Sequence, residues 1–129
     1  MDIRTHLAVN RELCGTPMRL GPGSATVELA TTRQMAADDS GLVHGGFVFG
    51  MADFAAMIAV NHPNVVLASS ESRFLKPVRA GERLLAEANV SSEKGKWRTV
   101  DVRVTRGEDA VFQGVFSCVV PERHVLGAG

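Results

Sequence analysis

The chain has 129 residues, 14 Lys and Arg against 14 Asp and Glu, and a hydrophobic fraction of 45%. That length suits one compact domain, residues 1–129, and so apolar and weakly charged a composition excludes a disordered chain. Zero formal net charge gives no basic patch for nucleic acid, and Cys14 and Cys118 lie too far apart for metal-ligand spacing.

The N-terminus, MDIRTHLAVN, puts charged and polar residues where a signal peptide needs an apolar run. A cytoplasmic protein without a membrane anchor is therefore expected, with two free thiols. Residues 2–13 mix polar and apolar positions and predict a short N-terminal helix. Gly21-Pro22-Gly23 predicts a turn, and the alternation of Ala25, Val27 and Leu29 with Thr26, Glu28 and Ala30 predicts a half-buried strand. A polar loop follows over residues 35–43.

From Gly45 to Asn61 the sequence reads GGFVFGMADFAAMIAVN, about 25 Å if helical. Phe47, Met51, Phe54 and Ile58 fall on one face, and Gly46, Gly50, Asp53 and Met57 on another. Both faces are apolar or small, so the helix is expected to be buried nearly all round. Pro63 disfavours helical geometry at the residue before it and marks the stop. The remainder reads as strands over 65–76, 84–90, 97–104 and 111–120, separated by turns at 77–81, around Gly95 and at 106–109. Consecutive hairpin-linked strands predict an antiparallel meander, and with the buried helix the class is α+β.

Chemistry concentrates between Asp38 and Asn61. His44-Gly45-Gly46 stands where a loop becomes the N-terminus of the long helix, with free N–H groups and the positive end of the helix dipole. The glycines let a ligand approach those amides, which suits the oxygen of a polarised carbonyl. Asp53 is the one charge in the helix. A carboxylate in an apolar helix costs several kcal/mol unless it caps a neighbour, holds an ion pair or has a chemical task. Gly45 and Asp53 are separated by about 12 Å along the helix axis. A reacting carbonyl must sit about 3 Å from both its oxyanion donor and the catalytic group, so one copy of the helix cannot supply both. Two antiparallel copies on a twofold axis can, crossing near Phe49 and Gly50. The site is expected to be shared between subunits.

Asp38-x5-His44-Gly45-Gly46-x6-Asp53 resembles the N/Q-x5-HGG-x6-D signature of hotdog-fold acyl-CoA thioesterases of the PaaI-like and hydroxybenzoyl-CoA type. Asn61 at the helix end, Phe74-Leu75-Lys76-Pro77 and Gly81-Glu82 match further family features, and the resemblance covers nearly the whole chain. It implies a hotdog fold: a five- to six-stranded antiparallel sheet wrapped round the central helix, with homodimers joined edge to edge and often paired again into homotetramers. It also implies hydrolysis of acyl-CoA to free acid and CoA, with coenzyme A as part of the substrate, no separate cofactor and no metal. The Gly45 amide would polarise the thioester carbonyl, His44 would orient the loop, and Asp53 of the partner chain would act as nucleophile or general base. The sequence departs from the pattern at Asp38, where the family has an amide, and at Met57, where some members have Thr. Ionised Asp38 only accepts hydrogen bonds.

Substrate-binding candidates are Gly46, Asp38, Met57 and Phe74, with Arg73, Lys76 and Arg79 facing the nucleotide end of coenzyme A. Some members use a serine on the following strand, for which Ser69, Ser70 and Ser72 are available. Two other readings compete. RFLKPVRAGERL also resembles the ligand domain of malonyl-CoA-sensing repressors, which bind acyl-CoA without turnover, lack the helix carboxylate and carry a DNA-binding segment for which few residues precede the first strand here. Hotdog dehydratases place their catalytic groups in motifs that this sequence does not show.

Overall fold

The computed structural model describes residues 1–127. A six-stranded antiparallel sheet, in the order β1-β2-β4-β5-β6-β3, curls round one long helix. The elements are α1 (Arg11–Cys14), β1 (Thr16–Gly21), β2 (Ser24–Ala30), α2 (Gly45–Val60), β3 (Val66–Phe74), β4 (Arg83–Lys94), β5 (Trp97–Arg106) and β6 (Asp109–Val119). A 3-10 turn over Arg33–Met35 leads into the loop before α2.

Period-two burial fixes which side of the sheet meets the helix. Val27 and Leu29 on β2, Leu84, Ala86 and Ala88 on β4, Val100, Val102 and Val104 on β5, and Phe112, Phe116 and Cys118 on β6 all lie in the core. Their alternating neighbours face outward, as a one-sided sheet requires. The helix packs chiefly on β2, β4 and β5. Its start follows His44, whose φ of −63° and ψ of 130° are extended. Its end is Asn61, left-handed at φ 53° and ψ 43°, with its N–H donating to the Met57 carbonyl at 2.8 Å. Asn tolerates that conformation better than most residues.

Three expectations need correction, and one strand was not expected. The N-terminal segment is not a helix over 2–13: only Arg11–Cys14 is helical, capped by the Asn10 side chain. The reason lies at the far end of α2, where the Asn61 carboxamide accepts from the Arg4 N–H at 2.7 Å and donates to the Asp2 carbonyl at 2.8 Å, drawing those backbone groups away from helical bonding. Residues 16–21 form β1, paired with β2 through a bulge between Pro17 and Arg19. The meander holds only for β4-β5-β6, because β3 crosses to the outer edge of β6 instead of lying beside β4. Finally, α2 is not covered all round within one chain: Gly46 is exposed, and Phe49, Gly50 and Asp53 are only half-buried.

Candidate active site

The site is built from the loop before α2, the first half of α2, and the end of β3. Asp38 opens the loop by accepting from the Ser40 N–H at 2.9 Å and the Ser40 hydroxyl at 2.6 Å. These bonds hold its carboxyl below the usual carboxylate range. Asp38 is exposed and committed to an Asx turn, which an acceptor-only side chain does well. The loop is then tied down by bridges between Ala36 and Val43 and between Leu42 and Arg79. It delivers His44, whose N–H donates to the Met35 carbonyl at 2.9 Å.

His44 provides no side-chain capping bond to α2. Its ring lies edge-on to Phe47 with centroids 6.2 Å apart. The Gly45 and Gly46 N–H groups precede the first helical donor, the Phe47 N–H that bonds the His44 carbonyl, so they remain available to a ligand. Gly45 lies close under Phe74: a Cβ there would stand 3.2 Å from Phe74 Cε1, a tight contact that the ring could relieve only by shifting. Phe74 in turn packs edge-on to Phe112 at 5.1 Å between centroids and is 57% exposed. Gly45, Phe74, Lys76 and Val78 share a cavity of about 300 Å³ with Val43, Val48 and Val111.

Asp53 sits two turns further along α2. Its Oδ1 is buried without a hydrogen-bond partner, and burial pushes the carboxyl up to about 6 from 3.8. Among the described residues neither a cap nor an ion pair accounts for it, which removes the two ordinary structural roles of a helix aspartate. Phe49, one turn earlier, packs on Phe112 and Phe116. Two thiols feel the Asp53 charge: burial first and Asp53 second raise Cys14, and the same causes push Cys118 up to about 12. Nothing in the sequence spacing pointed to those two cysteines lying round the carboxylate.

The other candidates divide by strand parity. Ser70 and Ser72 pair with Phe116 and Gly114 on the inner face of β3, and their hydroxyls bond one another. Ser69 pairs with Ser117, after a bulge, on the outer face. Arg73 pairs with Gln113 on the outer face too, pointing away from Phe74 and from α2. Lys76 stays beside Gly45 but is held by Asp109 at 3.1 Å. Arg79 borders a second cavity of about 400 Å³ with Ser40, Leu42, Glu82 and Arg106. Arg106, absent from the sequence-based candidates, bonds Glu82 and the Pro77 carbonyl and so fixes this turn. Met57 lies in the closed core at 1% exposure. The structure thus brings together His44, Gly45, Gly46, Phe74 and Lys76, and leaves Asp53 separated from them along its own helix.

The Thioesterase superfamily matches residues 40–113, more than half of the chain. The chain belongs to that superfamily. Its six strands and long helix are the hotdog fold, shared with an uncharacterized protein of Pyrococcus horikoshii at 49% identity, covering 98% of each chain with a TM-score of 0.97. The phenylacetic acid degradation protein PaaI of Thermus thermophilus is similar at 26% identity over 86% of this chain and 97% of that one, with a TM-score of 0.78. Among curated relatives, the methylthioribose-1-phosphate isomerase of Aquifex aeolicus is 55% identical over 119 residues. Those residues are 92% of this chain but 26% of that relative. The transcription factor FapR of Bacillus cereus is 38% identical over 77 residues, 58% of this chain and 39% of FapR. The hotdog chain therefore spans only a quarter to two fifths of these two relatives. Among the described residues of this superfamily member, no helix is long and apolar enough to cross a membrane.

Proposed function

We propose that this chain is an acyl-CoA thioesterase acting as a homodimer, with each site made by two copies. Asp53 is the observation that carries the proposal: an unpaired, desolvated carboxylate in a helix that has no structural use for it. With its carboxyl raised to about 6, it is ionised yet basic near neutral pH, as a general base should be. The acyl carbonyl binds at the Gly45 N–H of one copy, where the helix start stabilises the developing oxyanion. Asp53 of the other copy takes a proton from water as the water oxygen bonds to the carbonyl carbon. Collapse of the tetrahedral species breaks the C–S bond, and the CoA sulfur leaves with the proton.

Two features of the single chain support the pairing. The helix face formed by Gly46, Phe49, Gly50 and Asp53 is incompletely covered, and a Cβ at Gly50 would meet nothing within 4 Å. Beside that face runs β3, an edge strand with one side unpaired. A second copy aligned on β3 and α2 completes the sheet and sets Gly45 against Asp53. Lys76 and Arg79 border the cavities next to Gly45 and suit the phosphates of coenzyme A.

CoA release from a panel of aryl, short-chain and medium-chain acyl-CoA substrates tests the proposal. Turnover rising with pH through about 6 and abolished by Asp53→Ala is expected, whereas turnover unchanged by Asp53→Ala removes the carboxylate from the chemistry. The similarity to FapR favours a second reading, an acyl-CoA-binding protein without turnover. Tight binding by calorimetry with no release for any chain length would select it.

A further inference from the structure

One amine shares the cavity beside Gly45, and hydrolysis gives it no chemical task. Lys76 lines that cavity of about 300 Å³ together with Gly45. The floor is apolar, made by the buried side chains of Val43, Val48, Val78 and Val111. The Leu75 and Lys76 N–H groups donate to the Val111 carbonyl at 2.8 and 3.3 Å, which pins the backbone beside the cavity. The Lys76 side chain swings from that fixed point on a flexible four-carbon stem. Among the described residues its ion-pair partner is Asp109, at 3.1 Å, and both side chains are half-exposed. Exposed pairs of this kind are weak and open readily.

We infer that Lys76 is a self-acylation site: a thioester bound at the Gly45 N–H transfers its acyl group to the Lys76 amine in competition with water. The inference rests on the proposed binding of acyl-CoA at that amide, but not on turnover by Asp53. A helix-start N–H that polarises the carbonyl for water polarises it equally for an amine. The ammonium first leaves Asp109 and gives one proton to solvent. Nζ then bonds to the carbonyl carbon, and the tetrahedral species collapses with cleavage of the C–S bond. A second nitrogen proton goes to the CoA sulfur. Ammonium and thioester thereby become amide, free CoA and one released proton. Amine and carbonyl held in one cavity react as a single molecule, an advantage that no other lysine of the chain shares. The acylated side chain is neutral, so it gives up both the tie to Asp109 and its attraction for CoA phosphates. Its acyl chain settles on the apolar floor in front of the Gly45 amide. Acylation therefore slows further turnover in proportion to the acyl-CoA already met.

Lys94 and Lys96, the other lysines of the chain, supply an internal control. Lys94 pairs with Trp97 and Trp97 with Val119, level with Val66 at the start of β3. Lys76 lies beyond the other end of that 9-residue strand, about 30 Å away. The whole chain is incubated with butyryl-CoA or benzoyl-CoA and digested, and acylation at each lysine is followed by mass spectrometry beside CoA release. Lys76 should be acylated at least about tenfold faster than Lys94 or Lys96. Excess free CoA, which competes for the site, and Gly45→Ala, which obstructs the carbonyl, should each bring Lys76 down to the rate of the others. Equal rates at all lysines overturn the inference. So does a Lys76 rate that survives excess CoA, or that survives Gly45→Ala in a chain whose circular dichroism matches the wild type. Catalytic CoA release without acylation of Lys76 overturns it and leaves the hydrolase reading standing. Acylation of Lys76 with no CoA release beyond one equivalent upholds it and removes the hydrolase reading instead.

Discussion

Replacing Asp53 with Asn should change stability in a way that depends on pH. The native carboxyl titrates at about 6 because it is desolvated, against 3.8 when solvated. Between those values the folded chain binds more protons than the unfolded one, so stability falls as pH rises through this window. Two units of displacement correspond to a loss of about 3 kcal/mol that is complete above about pH 7. Asn does not ionise and escapes it. The difference in unfolding free energy between Asp53→Asn and wild type should therefore grow in favour of the variant by about 2 kcal/mol from pH 4.5 to pH 8. The Cys14 and Cys118 thiols, which feel Asp53, stay protonated over this range, and the remaining titrating groups are common to both proteins and cancel. Urea unfolding at several pH values measures it, with constant m as the check that both unfold in the same way. A difference that stays flat with pH would refute the reasoning, because Asp53 would then be solvated or paired in the working protein.

Two further outcomes follow from local geometry. Gly45→Ala places a methyl 3.2 Å from the exposed ring of Phe74, which can shift towards solvent, so folding should change by less than about 1 kcal/mol, helped by the helix preference of Ala. The same methyl obstructs carbonyl approach to the helix amides, and kcat/KM should fall about a hundredfold, as for loss of one oxyanion donor; thermal melts and steady-state kinetics on one preparation separate the two. Asn61→Ala strands the Arg4 N–H and the Asp2 carbonyl and puts Ala, which tolerates the left-handed region less well than Asn, at φ 53°. It should cost about 2–4 kcal/mol and speed hydrogen exchange at the Arg4 amide before the core opens.

The helix was legible as a helix-length apolar run, Gly45–Val60, stopped before Pro63, and β4, β5 and β6 were legible from their clean period of two. β1 was not legible: Pro17 and its bulge erase alternation from six residues. Nor was the N-terminal segment, whose conformation is dictated by Asn61 more than fifty residues away. The edge position of β3 is a crossover, and alternation says which face a residue takes but not which strand it neighbours. At the site, the HGG loop and Asp53 were readable from spacing, and parity alone could have turned Arg73 away from Phe74. The local use of Asp38 by Ser40 and the placing of Cys14 and Cys118 round Asp53 are tertiary facts, with no trace in one-dimensional spacing.

Sharing of the site between two copies is tested most directly by complementation. Asp53→Asn and Gly45→Ala chains, each inactive alone, are co-expressed at equal levels with different tags, and CoA release is measured. Mixed dimers contain one site with both changes and one with neither, so random pairing should return about a quarter of wild-type activity, all of it in the doubly tagged fraction. Activity in that fraction no higher than in either single variant would contradict a site made from Gly45 of one copy and Asp53 of the other.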